Sequence, residues 1–490
     1  MERLLDNDTR RRLKMIELLY AQPGWQTTKT LTKELKCSES VLLKDITMYN
    51  SLFQNYKELP EYQTYLAEAP LEIVTSHHGI HFIFPAGLGL DFFYQFVLKT
   101  TPAFQLLELV FFDETLTVAQ LAEKLFFSVP TVYRLITKIN QALAYFAIEL
   151  KPNPCKMTGN EAQIRYFYSN YFLESYSLSE WPFPFDERAF NSLLQQLFQP
   201  ILEELDVASF QQIRIRTAVH FTRHQQGYRN KQEVTIQQRL VAYCEPALAT
   251  LNEQALAMSV ETVVDVFGLL MIDQQLLDTN TLYPKIMTFI QQLAQSLKLD
   301  FPANSEKISK HLLTVCHLTY HFASGPSFIL YNAKKAFMIS VADNHPALFF
   351  TTQNALRAFL KEFLPKFTPG LMNDLLYCLF TCWNELIALA QQPIRLLILS
   401  SRNQGHAQLI DTQLSRRYGN RIQTEIYHGI TFSQQGLEDC DFDILISDAS
   451  FFFTPPKSSI WINSYPTCGD FERIETALRT YELKQPLPQP

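Results

Sequence analysis

The N-terminal part of the sequence contains one pattern written twice. Shifted by 90, Thr27-Thr-Lys-Thr-Leu31-Thr-Lys-Glu-Leu35 falls on Thr117-Val-Ala-Gln-Leu121-Ala-Glu-Lys-Leu125. Under the same shift Ser38, Lys44, Ile46, Thr47 and Asn50 fall on Ser128, Arg134, Ile136, Thr137 and Asn140. Each copy reads as a short helix with apolar residues one turn apart (Leu31 and Leu35; Leu121 and Leu125). A tight turn follows, then a Ser in N-cap position and a second amphipathic helix. Pro130 sits in the first turn of its helix, where a missing N–H costs little. A further amphipathic helix precedes each copy, over Thr9 to Tyr20 and Ala103 to Phe112. A hairpin pattern ends each copy. Leu71 to Thr75 alternates, His77-His78-Gly79 turns and Ile80 to Phe84 returns; Ala147 to Lys151, Pro152-Asn153-Pro154 and Cys155 to Thr158 repeat the design. Helix, helix, tight turn, helix and wing is the pattern of a winged helix-turn-helix, and its duplication argues against a mere three-helix packing unit.

Charge supports a nucleic-acid role locally. The chain is acidic overall, with 42 Lys and Arg against 49 Asp and Glu in 490 residues. Yet Thr9 to Lys57 carries nine Lys and Arg against four Asp and Glu, and Thr117 to Thr158 carries five against two. Two basic modules therefore stand on a body of about −15, an arrangement suited to phosphate contact. The Arg10-Arg11-Arg12-x-Lys14 run reads either as part of that phosphate face or as a solvated helix face. Glycine is scarce (14 residues), and neither GxGxxG nor GxxxxGK[ST] occurs, which disfavours dinucleotide and P-loop enzymes.

The eight cysteines are scattered singly without a CxxC pair, which fits reduced thiols and argues against a disulfide framework or a zinc site. Cys378 and Cys382 lie one turn apart within an apolar stripe and read as core. The apolar stretches Val263 to Ile272 and Leu375 to Ala390 are interrupted by Asp265 and by Asn384-Glu385, short of the run of about 18 residues that spans a bilayer. The first residues lack the apolar run of a secretory leader. The expectation is a cytoplasmic, mainly helical, multidomain chain without membrane segment, metal or cofactor.

A second repeat lies in the helical middle. Shifted by 97, Ala218-Val-His220-Phe-Thr222-Arg-His224 falls on Val315-Cys-His317-Leu-Thr319-Tyr-His321, with Gly227 and Gly325 following. Two His at i and i+4 share a helix face, but no third ligand lies nearby, so a metal pair is disfavoured. Two readings remain: rings satisfied by neighbours on an inner face, or phosphorylatable histidines, with His220 and His317 ahead of His224 and His321. From Pro393 the character changes. Strand patterns at Pro393 to Leu399, Arg421 to Tyr427, Phe442 to Ile446 and Ser459 to Ile462 alternate with helical patterns at Gly405 to Tyr418 and Asp470 to Tyr481, implying a small α/β sheet. The Pro-rich tail after Lys484 reads as disordered.

In this order the modules resemble the Mga-like, PRD-containing virulence and global regulators of Gram-positive bacteria. The resemblance rests on the duplicated Ser-capped helices, on Gly159-Asn-Glu-Ala-Gln-Ile-Arg165, on His220-x-x-Arg223 and on the domain order, and it covers nearly the whole chain. It implies a winged helix-turn-helix over residues 1–86 and a second, Mga-type unit over 87–164. It further implies two all-helical domains similar to phosphotransferase regulation domains (165–282 and 283–392), an EIIB-like α/β domain (393–484) and a tail (485–490). In such regulation domains histidines accept phosphoryl groups from a phosphotransferase-system carrier, and the EIIB-like domain is associated with self-association. A catalytic EIIB has a Cys after its first strand; here that position reads Ser400-Ser401-Arg402-Asn403, which implies the fold without phosphotransfer. Tyr320 stands where Arg223 would map in the second helical repeat.

The expected function is duplex DNA binding at promoters by a homodimeric or higher-order activator, without a catalytic step. Candidate contacts are Ser38, Ser40, Lys44 and Thr47 in the first unit. In the second they are Ser128, Thr131, Tyr133, Arg134, Thr137 and Lys138. All fall off the apolar stripes, and few are the Arg, Asn or Gln types that read bases bidentately, which points to a large share for phosphate contacts and DNA bendability. The competing classes are a phosphotransferase phosphocarrier, which lacks its acceptor Cys here, and a PRD-containing RNA antiterminator, whose N-terminal module is β-rich rather than helical and duplicated.

Overall fold

In both N-terminal copies polar side chains cap the two helices that flank the tight turn, and a left-handed residue makes the turn between them. The computed structural model describes residues 1–22, 24–58, 71–85, 87–197, 206–230, 261–262, 264–267, 282–322, 326–363, 369–383, 385–389, 393–429 and 432–484. In the first copy α1 (Asn7–Ala21) begins at Asp6, whose carboxylate accepts the Thr9 N–H at 2.6 Å. Helix α2 (Thr28–Leu35) begins at Thr27, whose hydroxyl accepts the Thr30 N–H, and ends at Lys36 with φ 51°. Ser38 then accepts the Val41 N–H at 3.4 Å as α3 (Glu39–Glu58) starts. Strands β1 (Glu72–Ser76) and β2 (Gly79–Ile83) form the antiparallel wing. Helix α4 (Asp91–Thr100), an element the sequence patterns do not assign, leads to the second copy. There α5 (Pro102–Phe112) precedes α6 (Val118–Lys124), which opens on a capping box between Thr117 and Gln120. Phe126 turns the chain at φ 57°, and Ser128 caps α7 (Val129–Leu143) through the Thr131 N–H. Strands β3 (Ile148–Pro152) and β4 (Cys155–Gly159) are the second wing.

The equivalence reaches contacts that no alignment of residue types displays. The Asn50 side-chain amide donates to the Ile73 carbonyl at 2.9 Å and accepts its N–H at 2.8 Å. Asn140 does the same to Leu150, at 2.9 and 2.8 Å. Gln26, just before the first cap, pairs with Ile80 of the wing in both directions at 2.8 Å. Leu116, just before the second cap, accepts the Cys155 N–H at 3.2 Å. Gly79 makes the first pairing possible: at φ 121°, an added Cβ would meet the Gln26 carbonyl oxygen at 2.2 Å.

The first of two compact units comprises Met1–Leu276 with Leu318–Asn332. Its further helices include α8 (Glu161–Ser175), α9 (Glu187–Leu197) and α10 (Val207–Gln225). One apolar core runs from Leu31 and Ile46 through Val132 and Ile136 to Phe167 and Phe172. Helix α8 is buried on nearly every side, so it lacks a polar stripe and acts as the axis on which the second winged unit and α10 are packed. Its Glu174 carboxylate accepts the N–H groups of Ile329, Leu330 and Tyr331 at 2.6 to 2.7 Å, tying that returning segment into the unit.

The second unit comprises Leu277–His317 with Ala333–Pro490. Its helices are α11 (Leu282–Ser296), most of α12 (Ser305–Phe322), α13 (Ala333–Asn344), α14 (Pro346–Phe363), α15 (Pro369–Cys382) and α16 (Glu385–Leu389). They enclose a core around Leu312, Leu356, Leu376 and Trp383, to which Cys378 belongs. Then come β5 (Ile394–Leu399), α17 (Gln404–Tyr418), β6 (Ile422–Ile426), α18 (Gln434–Glu438), β7 (Ile444–Ser447), β8 (Ser458–Trp461) and α19 (Cys468–Lys484). The four strands form a parallel sheet in the order β6-β5-β7-β8. Successive residues of β5 face opposite sides: Ile394, Leu396 and Ile398 meet Ile410, Leu414 and Ile474, whereas Leu397 meets Leu437 and Phe442. The expected α/β piece is therefore present, with all four strands. The side chains of His317 and His321, Gly325 and the tail 485–490 lie outside the described residues.

Candidate nucleic-acid interface

The two helices that follow the tight turns present the same division of faces. On α3, Leu42, Ile46, Tyr49 and Phe53 are buried, while Ser38, Ser40, Lys44 and Thr47 are exposed. On α7, Val132, Ile136, Ile139 and Leu143 are buried. Ser128, Tyr133, Arg134 and Thr137 are exposed, and Thr131 and Lys138 half-buried. The hydroxyls of Thr47 and Thr137 donate to the carbonyls of Leu43 and Tyr133, each at 3.0 Å, and Ser38 and Ser128 serve as caps. Among the described side chains, the long cation that each helix exposes beside its cap is Lys44 on α3 and Arg134 on α7. Arg134 donates only a 3.2 Å hydrogen bond to Thr131 among the described residues. Lys138 is anchored instead, donating to the Leu4 carbonyl at 3.0 Å. Apolar residues crowd the approach to α7: Phe126 is 94% exposed, and Phe127, Val129 and Tyr133 are also exposed.

Two residues of the arginine run of α1, Arg11 and Arg12, fit neither sequence reading. Arg11 donates to Asp45 at 2.7 and 3.1 Å, and Arg12 donates to the same carboxylate at 2.9 Å. Asp45 is buried on α3, so two guanidiniums are spent locking α1 to α3. The hydrogen bonds to Asp45 raise the Arg11 guanidinium further above its ordinary range against the opposing effect of burial. Of the run, only Arg10 and Lys14 are exposed.

The histidines of α10 lie beside a buried ionic network. His220 is buried, and its Nδ1 lies 2.9 Å from the Val266 carbonyl. A carbonyl can only accept, so Nδ1 carries the proton. Burial, with the Arg165 guanidinium nearby, pushes the ring down to about 3, so it is neutral. An exposed imidazole with a free arginine beside it is thus not what α10 presents at this position. Arg223 is itself fully buried, donating to Glu161 at 2.8 and 3.0 Å and to Glu114 at 2.6 Å. Arg165 donates to Glu161, to the Asp265 carboxylate and to the carbonyls of Asp265 and Tyr228. His224, half-buried, places Nδ1 2.8 Å from Asp265. Burial pushes the Asp265 carboxyl up, but hydrogen bonds from Arg165, Asn230 and His224 outweigh it and hold the group below its usual range. Glu114 belongs to the loop before α6 and Glu161 opens α8, so Arg223 joins α10 to the second winged unit. These acidic partners were absent from the sequence reading; their only signal is an Arg on a helix face too apolar to solvate it.

At the carboxyl ends of β5 and β7 the strand order reverses, the usual place for a ligand crevice in a parallel sheet. Here the crevice is bridged. Ser401 donates its N–H at 2.6 Å and its hydroxyl at 3.1 Å to Asp448, and Ser400 lies 2.8 Å from His406 Nδ1. No thiol stands at this position. Among the described residues no cluster of His, Cys, Asp and Glu is arranged to hold a metal ion, and no helix is long and apolar enough to cross a membrane.

Residues 87–172 match the Mga helix-turn-helix domain, a span that runs from before α4 into α8. Over 95% of this chain and 97% of its own length, a candidate trans-acting regulator of Streptococcus pneumoniae serotype 4 is 24% identical. The capsule synthesis positive regulator AcpB of Bacillus anthracis is 22% identical over 96% of this chain and 98% of its own length. The anthrax toxin expression trans-acting positive regulator of the same organism is 21% identical over 95% and 97%.

Proposed function

This chain belongs to the Mga-like regulators, and from that premise we propose that it activates transcription by gripping duplex DNA with both winged units. The observation that carries the reading is the duplication itself. Two helices 90 residues apart share caps, turn geometry, buried stripe and wing clamp, and each exposes a cation, Lys44 or Arg134, that has no ion-pair partner among the described residues. Helices α3 and α7 lie in major grooves, with Ser40, Lys44, Thr131, Tyr133 and Arg134 nearest the DNA and the wings on the backbone. With few Arg, Asn or Gln side chains at the candidate contact positions, direct readout is slight, and phosphate contacts and DNA deformability supply the rest. No catalytic step is involved.

The helical domains act as PRD-like regulatory elements and the C-terminal sheet as an EIIB-like domain for self-association, in the cytoplasm. A signal received on α10 reaches the second winged unit through Arg223, because that guanidinium bridges Glu161 and Glu114. With Nδ1–H held by Val266, the lone pair of His220 is on Nε2, and phosphorylation there by a phosphotransferase carrier requires the buried ring to be uncovered first. His224, on the rim of the network, is the more accessible ring.

The test is fluorescence anisotropy on promoter-length duplexes at several salt concentrations. Lys44→Ala and Arg134→Ala each weaken binding and flatten log K against log[salt] by about 0.9 per lost phosphate contact. An intact Arg134→Ala protein with unchanged affinity and slope would leave the second unit a structural copy.

A further inference from the structure

A cleft of about 670 Å³ opens between the two winged units, within the range of about 300–1,000 Å³ typical of small-molecule sites. Its apolar lining includes Tyr49 of α3, Phe96 and Val97 of α4, and Leu135 of α7. Arg12, Arg134 and Lys138 also line it, against one carboxylate, Asp6. The charges are not equally available. Asp6 is occupied in capping α1, and its hydrogen bond from the Thr9 N–H holds it below the usual carboxylate range. Arg12 is matched by Asp45. Arg134 and Lys138, one turn apart on α7, hydrogen-bond only neutral oxygens, of Thr131 and Leu4, and neither has an ion-pair partner among the described residues.

A cleft with an apolar floor and, on one wall, two cations that form no ion pair among the described residues suits a molecule of two parts, although the Asp6 charge acts on Lys138 from a distance. We propose that it binds an organic anion, an acidic head on an aromatic or branched apolar body, with the head between Arg134 and Lys138. A bare inorganic anion leaves the apolar floor uncovered, and a neutral hydrocarbon leaves the cations unpaired; only the combination satisfies both. Arg134 also belongs to the DNA face, so occupant and duplex compete for it. That competition rests on the DNA reading above, whereas the binding does not.

The probes are 1-anilinonaphthalene-8-sulfonate, its neutral relative N-phenyl-1-naphthylamine, and inorganic phosphate, titrated into the full chain. The sulfonate is expected to bind saturably, and about tenfold more weakly after Arg134→Ala or after Thr100→Trp, which fills the cleft from an exposed position. Lys310→Ala, which removes an exposed cation elsewhere, leaves it unchanged. The neutral relative binds about tenfold more weakly than the sulfonate, and phosphate alone does not displace it. Equal sulfonate affinity in all variants overturns the site. So does equal affinity for the neutral probe, which makes it a plain apolar groove, or displacement by phosphate, which makes it a simple anion contact. Thermal melts of Thr100→Trp and Arg134→Ala exclude misfolding. Saturating sulfonate weakens duplex binding about tenfold; unaltered duplex affinity with the sulfonate bound overturns the competition. A chain that binds no duplex refutes the DNA reading, and the fluorescence titration still decides the site.

Discussion

His220 shows how one side chain changes meaning between sequence and structure. In the sequence it is a histidine on a repeated helix, free to be a phosphoryl acceptor or a satisfied core ring. In the fold it is neutral, with Nδ1–H directed at Val266 and its basicity depressed to about 3 by burial and by Arg165. Unfolding returns the ring to an ordinary value of about 6.5. Between those two values the unfolded chain binds more protons than the folded one, so stability rises with pH there and is lost as pH falls below about 6.5. From this ring alone, lowering the pH from 7 to 5 should cost about 2 kcal/mol. His220→Gln removes the titration and keeps an amide donor for the Val266 carbonyl. Denaturant unfolding of both proteins at the two pH values should show the variant losing about 2 kcal/mol less. Equal losses would place the ring in water in the native state, and so reopen it to direct phosphorylation.

At the scale of elements, the duplication was legible because it is periodic: caps, apolar stripe and wing recur at a fixed offset, and so do the helices and hairpins they build. The alternating C-terminal strands were legible for the same local reason. Helix α4 was not, because Phe92-Phe93-Tyr94 and Phe96-Val97 crowd it with residues that favour strands as readily as helices. Long-range polar pairs were not legible either. Nothing local announces that Asp45 neutralises Arg11 and Arg12 of another helix, or that Arg223 meets Glu114 more than a hundred residues away. Asn50 and Asn140 lie between these cases: the alignment pairs them, and only the fold gives the pair a task. Each closes its wing onto its own helix, α3 or α7, by satisfying one backbone N–H and one C=O. Asn140→Ala leaves both groups of the buried Leu150 without that partner, at a cost of about 1–3 kcal/mol. Chemical denaturation measures the loss, and duplex binding should weaken with it. Full stability in Asn140→Ala would mean that the wing is held by its apolar face alone.

At the scale of the molecule, the proposed function asks the acidic body to deliver two basic winged units to one duplex, and doubling the chain would make four. Association by the C-terminal domain then raises the effective concentration of the second pair of units without any new base contact. The sheet offers a surface for this. Strand β8 lies at its edge, Trp461 on that strand is 50% exposed, and Tyr465 and Phe452 nearby in sequence are exposed as well. A sheet edge with large apolar side chains beside it is a place for a second chain to pair or pack. The bridged crevice at Ser401 and Asp448 lies at the carboxyl ends of β5 and β7, so the edge, rather than a ligand site, is the feature left to explain. Trp461→Glu puts a charge on that edge at a half-exposed position, so the chain should remain folded. By sedimentation the wild-type chain should behave as a dimer and the variant shift toward monomer. Affinity for a duplex long enough for two chains should fall, while the salt slope per chain holds, because each pair of winged units keeps its phosphate contacts. A variant that still sediments as a dimer would move the interface away from this edge and onto the helical domains.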